Sequence, residues 1–241
     1  MNTAYLPSCC SPLNDHWPLP HTLPLVQLIS TRFTPELLDA ADFSRCAVEP
    51  VRGVAKRQAE YLAGRLCARE ALMRLTGIAA TPACGEDRAP QWPVGMVGSI
   101  THGSGWAGAV VGNSTEWRGL GLDIEQIMPA SRAERLAAEI LTPAELFRLE
   151  ALPTEQRAQR ISLTFSLKES LFKALYPQVL QHFYFQDAEL LSIDADNKVR
   201  MRLLIDLHAD WPAGSELQGQ FAEFDGYLLS LVSIAAATAR R

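Results

Sequence analysis

Apolar residues recur along this chain in two rhythms, strict alternation and three-to-four spacing, and the rhythms change over in blocks that predict strands and helices in turn. Leu25-Val-Gln-Leu-Ile29 reads as a strand. Pro35 to Cys46 reads as a short helix, with Thr34 as its cap and Pro35 at the first helical position. A longer helix is expected from Val54 to Leu75, where Leu62, Leu66 and Met73 recur among alanines and Gly77 supplies the stop. The turn-rich stretch Cys84 to Pro93 separates it from two strands, Met96–His102 and Trp106–Val111, split by Gly103-Ser-Gly105. After a junction at Gly112–Thr115 comes a strand at Arg118–Ile124. Helices are expected at Arg132–Ile140, Pro143–Leu149 and Thr154–Ala174, then strands at Phe183–Ile193, Lys198–Ile205, Leu217–Glu223 and Tyr227–Ala235. Residues 1–24, broken by Pro7, Pro12, Pro18, Pro20 and Pro24, read as an irregular lead-in. The fold class is α+β, with helices and antiparallel strands in each half.

Composition narrows the function classes. At 241 residues the chain can bury one large core or two compact ones. The formal charge of −5 argues against broad nucleic-acid binding, although Arg52 to Arg74 carries six basic residues against two acidic ones. Five cysteines without C-x-x-C spacing imply free thiols and a cytoplasmic setting. The start of the chain does not read as a secretory signal, and no stretch is apolar enough for a membrane span.

Two segments carry candidate chemistry. In Gly121-Leu-Asp-Ile-Glu125, residues two apart on a strand point the same way, so Asp123 and Glu125 can share one cation. In Phe165-Ser-Leu-Lys-Glu-Ser-Leu-Phe-Lys173, Glu169 and Lys173 lie four apart on one helix face. Three carboxylates and a lysine suit Mg2+ holding a phosphate or pyrophosphate, because that ion takes hard oxygen ligands and keeps waters. The glycine turn after Ser99-Ile-Thr-His102 could receive a phosphate, with Thr101 and His102 adding donors. Lys56 and Arg57 open the long helix, whose N-terminus favours anions, and Arg88 sits in the turn-rich loop. No Walker loop, Rossmann fingerprint or G-x-S-x-G elbow is present.

In order and spacing these segments resemble the surfactin-type 4′-phosphopantetheinyl transferases, in the subgroup serving siderophore synthetases and bacterial carrier proteins. The resemblance runs from Lys56-Arg-Gln-Ala-Glu-Tyr-Leu-Ala-Gly-Arg-Leu66 through Arg88-Ala-Pro-Gln-Trp-Pro-Val94, Gly98-Ser-Ile-Thr-His102 and Gly119-Leu-Gly-Leu-Asp-Ile-Glu125 to Lys173, about half the chain. It implies two similar α/β-mixed halves related by pseudo-twofold symmetry, residues 1–118 on the adenine and phosphate side of coenzyme A and residues 119–241 carrying the metal ligands and catalytic helix. It implies Asp123, Glu125 and Glu169 as magnesium ligands, Glu169 also as base, and Lys173 on the pyrophosphate. Lys56, Arg57, Arg88, Thr101 and His102 would hold the coenzyme A phosphates and adenine end. The partner implied is an apo acyl or peptidyl carrier protein, with a monomer sufficient and neither nucleic acid nor membrane involved. Two alternatives use the same residues: a magnesium-dependent phosphohydrolase, and a carrier-binding homologue without turnover.

Overall fold

The computed structural model describes residues 5–236, so the ends of the lead-in and of the C-terminus lie outside the described residues. The chain divides into two compact units. One comprises residues 1–17 and 23–116, the other residues 18–22 and 117–241.

In the first unit, β1 (Asn14–Asp15) pairs with β2 (Val26–Arg32). The short helix α1 (Ala41–Arg45) and the long helix α2 (Ala55–Thr76) follow. A small hairpin, β3 (Ala83–Cys84) with β4 (Pro90–Gln91), precedes β5 (Met96–Gly103) and β6 (Trp106–Asn113). The main sheet is antiparallel in the order β1-β2-β6-β5. Helix α2 packs on it through Ala59, Leu62, Ala63, Leu66, Cys67 and Ala71, all nearly or fully inaccessible. Small side chains let the helix lie close: a methyl group on Gly64 would stand 2.6 Å from Ile100 Cγ2 of β5. The β5–β6 turn uses Ser104 at φ 46° and Gly105 at φ 80°, the paired left-handed geometry that matches strand twist.

In the second unit, β7 (Trp117–Gln126) leads to α3 (Ala130–Ile140), α4 (Pro143–Glu150) and α5 (Thr154–Val179). Four strands complete it: β8 (Ala188–Ile193), β9 (Lys198–Leu203), β10 (Glu216–Phe224) and β11 (Tyr227–Ala235). All pairings are antiparallel, in the order β7-β11-β10-β9-β8. The stripe Leu163, Leu167, Leu171 and Leu175 on α5 packs into a core with Leu190, Met201, Leu217 and Leu228. Residues 18–22 join this unit: the His21 backbone brackets the buried Gln220 side-chain amide, donating at 2.9 Å and accepting at 2.8 Å.

Three expectations need correction. Pro35 to Cys46 is a 3-10 turn at Pro35–Leu37 and then α1, and Thr34 makes no side-chain cap. The segment is too short to sustain a cooperative helix across Leu38 and Asp39. The strand expected from Phe183 begins at Ala188, after a 3-10 turn at Phe185–Asp187. Helix α5 continues beyond Ala174 to Val179 despite Pro177, which falls in the last turn and so removes few helical bonds.

Lys168 is the main polar tie among the helices. It is 3% exposed, and its ammonium donates to Glu145 Oε2 at 2.6 Å and to the carbonyls of Ile140 and Phe185 at 2.8 Å each. Glu145 also accepts from the Thr142 and Leu190 backbone N–H groups, and Thr142 accepts from Glu145 N to close a capping box on α4. Burial pulls the Lys168 ammonium below its ordinary value, and Glu145 opposes that pull. Removing one partner of such a satisfied pair strands the other. Lys168→Met should therefore cost about 3–5 kcal/mol, read as a fall in the urea midpoint. A midpoint equal to wild type would refute the tie.

Candidate active site

Strand β7 alternates, so Gly119, Gly121, Asp123 and Glu125 share one face while Leu120, Leu122 and Ile124 occupy the other. Helix α5 lies against the glycine face. A Cβ on Gly121 would collide with the Ser170 carbonyl oxygen and stand 2.6 Å from the Ala174 nitrogen; one on Gly119 would meet the Ala174 carbonyl. Backbone therefore touches backbone. Four helical residues advance about 6 Å and two strand residues about 6.6–6.8 Å, so the two rows run in step. Ala174 faces Gly119, Ser170 faces Gly121, and Ser166 reaches Asp123. The stepping brings Glu169 and Lys173, beside that row, to the paired carboxylates.

Asp123 is 4% exposed. Lys173 Nζ donates to its Oδ1 at 2.6 Å and to the Leu122 carbonyl at 3.2 Å. Ser166 Oγ donates to its Oδ2 at 2.8 Å. Behind this bond runs a buried hydroxyl chain: Ser166 to Ser230 at 2.7 Å, and Ser230 to Ser170 at 2.8 Å. Ser230 lies directly across from Asp123 on β11. Sequence reasoning missed all three serines. For Ser166 and Ser170 the available signal was small size at four-residue spacing, continued by Ala174 and matched to Gly-x-Gly-x-Asp on the strand; Ser230 on β11 has no such signal.

Glu125 and Glu169 feel one another and Asp123. Burial first, then the Asp123 charge, pushes Glu125 up to about 7, with Lys173 opposing. Burial also raises Glu169, with Lys173 opposing and Asp123 adding to the rise. Among the described residues no three His, Cys, Asp or Glu side chains form a ready metal cage. The donor set is nevertheless all carboxylate, and its mutual repulsion is what a hard dication would relieve. Such an ion needs only one or two carboxylates beside waters and phosphate. The donor chemistry fits.

A cavity of about 300 Å³ adjoins Glu169, bounded by Phe172, His182, Phe183, Tyr184 and Phe185. Phe172 stacks on Tyr176 and His182, with centroids 5.2 and 5.6 Å apart, so its aromatic wall is continuous.

The remaining candidates belong to the first unit. Lys56 and Arg57 stand in the first turn of α2. Arg57 Nη1 is 3.2 Å from His102 Nε2, and His102 Nδ1 is 3.6 Å from the Glu60 carboxylate, which Lys56 approaches at 4.0 Å. Thr101 and His102 point to opposite faces of β5, Thr101 buried and His102 toward α2. Arg88 occupies the tip between β3 and β4 at φ 68°, exposed.

Known proteins align with both units. Residues 49–112 match the 4′-phosphopantetheinyl transferase N-terminal domain, and residues 119–232 match the 4′-phosphopantetheinyl transferase superfamily. The chain is 34% identical over 200 residues to 4′-phosphopantetheinyl transferase Svp of Streptomyces mobaraensis, covering 80% of this chain and 79% of that one. It is 33% identical over 229 residues to enterobactin synthase component D of Salmonella typhimurium, covering 92% and 91%. It is 32% identical over 191 residues to 4′-phosphopantetheinyl transferase PptT of Mycobacterium tuberculosis, covering 75% and 81%.

Proposed function

We propose that this chain, which belongs to the 4′-phosphopantetheinyl transferase superfamily, moves the 4′-phosphopantetheine arm of coenzyme A onto a serine of an apo acyl or peptidyl carrier protein, releasing adenosine 3′,5′-bisphosphate. The observation that carries this reading is the buried Asp123, bonded to Lys173 and Ser166, with Glu125 and Glu169 in electrostatic reach.

The carrier serine oxygen forms a bond to the phosphorus bearing the pantetheine arm, and the bond from that phosphorus to the adenosine-side phosphate oxygen breaks. Such displacement depends on positioning and charge neutralisation. Glu169 takes the serine proton, a contribution of ~10²–10⁴-fold for a placed carboxylate. Lys173 lends its ammonium to the pyrophosphate, and Ser166 keeps Asp123 oriented when that ammonium turns away. Asp123, Glu125 and Glu169 are the residues that would hold magnesium, which when bound supplies Lewis-acid neutralisation of the pyrophosphate. Lys56, Arg57, Arg88, Thr101 and His102 are assigned to the coenzyme A phosphates and adenine end, Arg57 and His102 as a joined pair.

The carrier is expected to meet apolar surface on the second unit, where Phe147, Leu180 and Tyr184 are exposed, the last on the rim of the aromatic cavity. We assign the reaction to a monomer in the cytoplasm. All five cysteines are free, and among the described residues no helix is long and apolar enough to cross a membrane.

Mass spectrometry of an apo carrier after incubation with coenzyme A and magnesium tests the reaction. A gain of about 340 Da on the carrier marks a phosphoryl-transfer product. Coenzyme A consumed without acceptor would establish a phosphohydrolase, and carrier binding without mass gain a non-catalytic homologue.

A further inference from the structure

Helix α5 carries a second charged feature, on its opposite face. Arg160 lies nine residues before Glu169, which is about 13 Å along a helix axis and half a turn around it. Arg160 is half-buried, and among the described residues its guanidinium makes no hydrogen bond or ion pair. Its neighbours are engaged. Arg148 holds Glu189 at 2.9 Å and the Leu190 carbonyl at 2.7 Å, and Arg157 donates to the carbonyls of Leu152 and Glu150 at 3.1 and 2.9 Å. Burial and the Arg148 charge both pull Arg160 below the ordinary arginine value, so a cation is held where charge is poorly tolerated.

Two cavities meet at this side chain. One of about 80 Å³ is shared with Arg148, Thr164 and Leu149. The other, of about 310 Å³, is walled by Leu163, Ile193, Phe221 and Leu228 and edged by Gln156 and Asn197. The carboxylate on the larger cavity, Glu223, already accepts from Gln159 at 2.7 Å; Glu145, on the smaller, is tied to Lys168 at 2.6 Å.

We infer that this groove binds a small organic monoanion, a carboxylate with a short aliphatic body. The carboxylate would take the Arg160 fork, where paired charge-assisted hydrogen bonds are strong, and would relieve the Arg148–Arg160 repulsion. The aliphatic body would cover Leu163, Ile193 and Phe221. Leu163, Ile193, Phe221 and Leu228 give the mixed lining an apolar side that a heavily hydrated phosphate would leave uncovered, and Glu223 repels a dianion more than a monoanion. The volume sits at the small end of ligand pockets, in keeping with a body of a few carbons.

The test is saturation-transfer NMR and titration of the full chain with hexanoate, against hexan-1-ol and inorganic phosphate. Hexanoate should bind at least about tenfold more tightly than either, the scale of a charge-assisted hydrogen bond. Arg160→Gln should lose about that factor while keeping its circular dichroism and melting temperature, since Arg160 ties no partner. Gln156→Trp, which fills the edge without changing charge, should also weaken hexanoate. Absence of hexanoate binding, equal binding by hexanol or phosphate, or equal affinity in either variant would each overturn the inference.

Discussion

Gly121→Ala should destabilise the second unit by about 3 kcal/mol or more and lower carrier modification by about a hundredfold. The added methyl would run into the Ser170 carbonyl and the Ala174 nitrogen, which are helix backbone and cannot rotate away. Helix α5 must lift, and Glu169 and Lys173 lift with it relative to Asp123. The two losses should appear together, in the urea midpoint and in the mass-spectrometric assay. Gly77→Ala is the comparison: it meets open space but sits at φ 77°, so only backbone strain of about 1 kcal/mol is expected. Equal midpoints for the two variants would dismiss the close approach of strand and helix.

Glu169→Gln should separate stability from activity. Loss of the base should lower turnover by ~10²–10⁴-fold. The fold should hold, because among the described residues no hydrogen bond depends on the Glu169 carboxylate. Its charge is opposed by burial and by Asp123. A carboxyl raised in the folded state contributes stability below its ordinary value and loses it as pH rises through the raised one. At pH 8 with a chelator, Glu169→Gln should therefore melt no lower than wild type, while the carrier stays unmodified. Wild-type turnover, or a large drop in melting temperature, would remove Glu169 from the role of proton acceptor.

The site was partly legible because local periodicity is written into the chain. Two-residue alternation put Asp123 and Glu125 on one face, and four-residue spacing joined Glu169 to Lys173. What periodicity cannot state is which element lies against which. Ser230 comes from a strand 64 residues beyond Ser166, and only the β7–β11 register sets it across from Asp123. Nor does spacing show that Lys168 is surrounded by three acceptors from α3, α4 and the Phe185 turn. The break between Pro35 and Cys46 was equally invisible, since each half alone satisfies helical spacing. Thr101 and His102 diverge to opposite faces of β5, as strand alternation requires.

Residues 18–22 bear on how the polypeptide could be divided. Because His21 supplies both partners of the Gln220 amide, a fragment cut to begin at β7 would lose the donor and the acceptor that hold that carboxamide. Complementation by a short synthetic peptide spanning those five positions would restore what a single scission removes. The covalent order of the two halves is thus stitched, and a clean severing of the gene between them does not correspond to a clean severing of the protein.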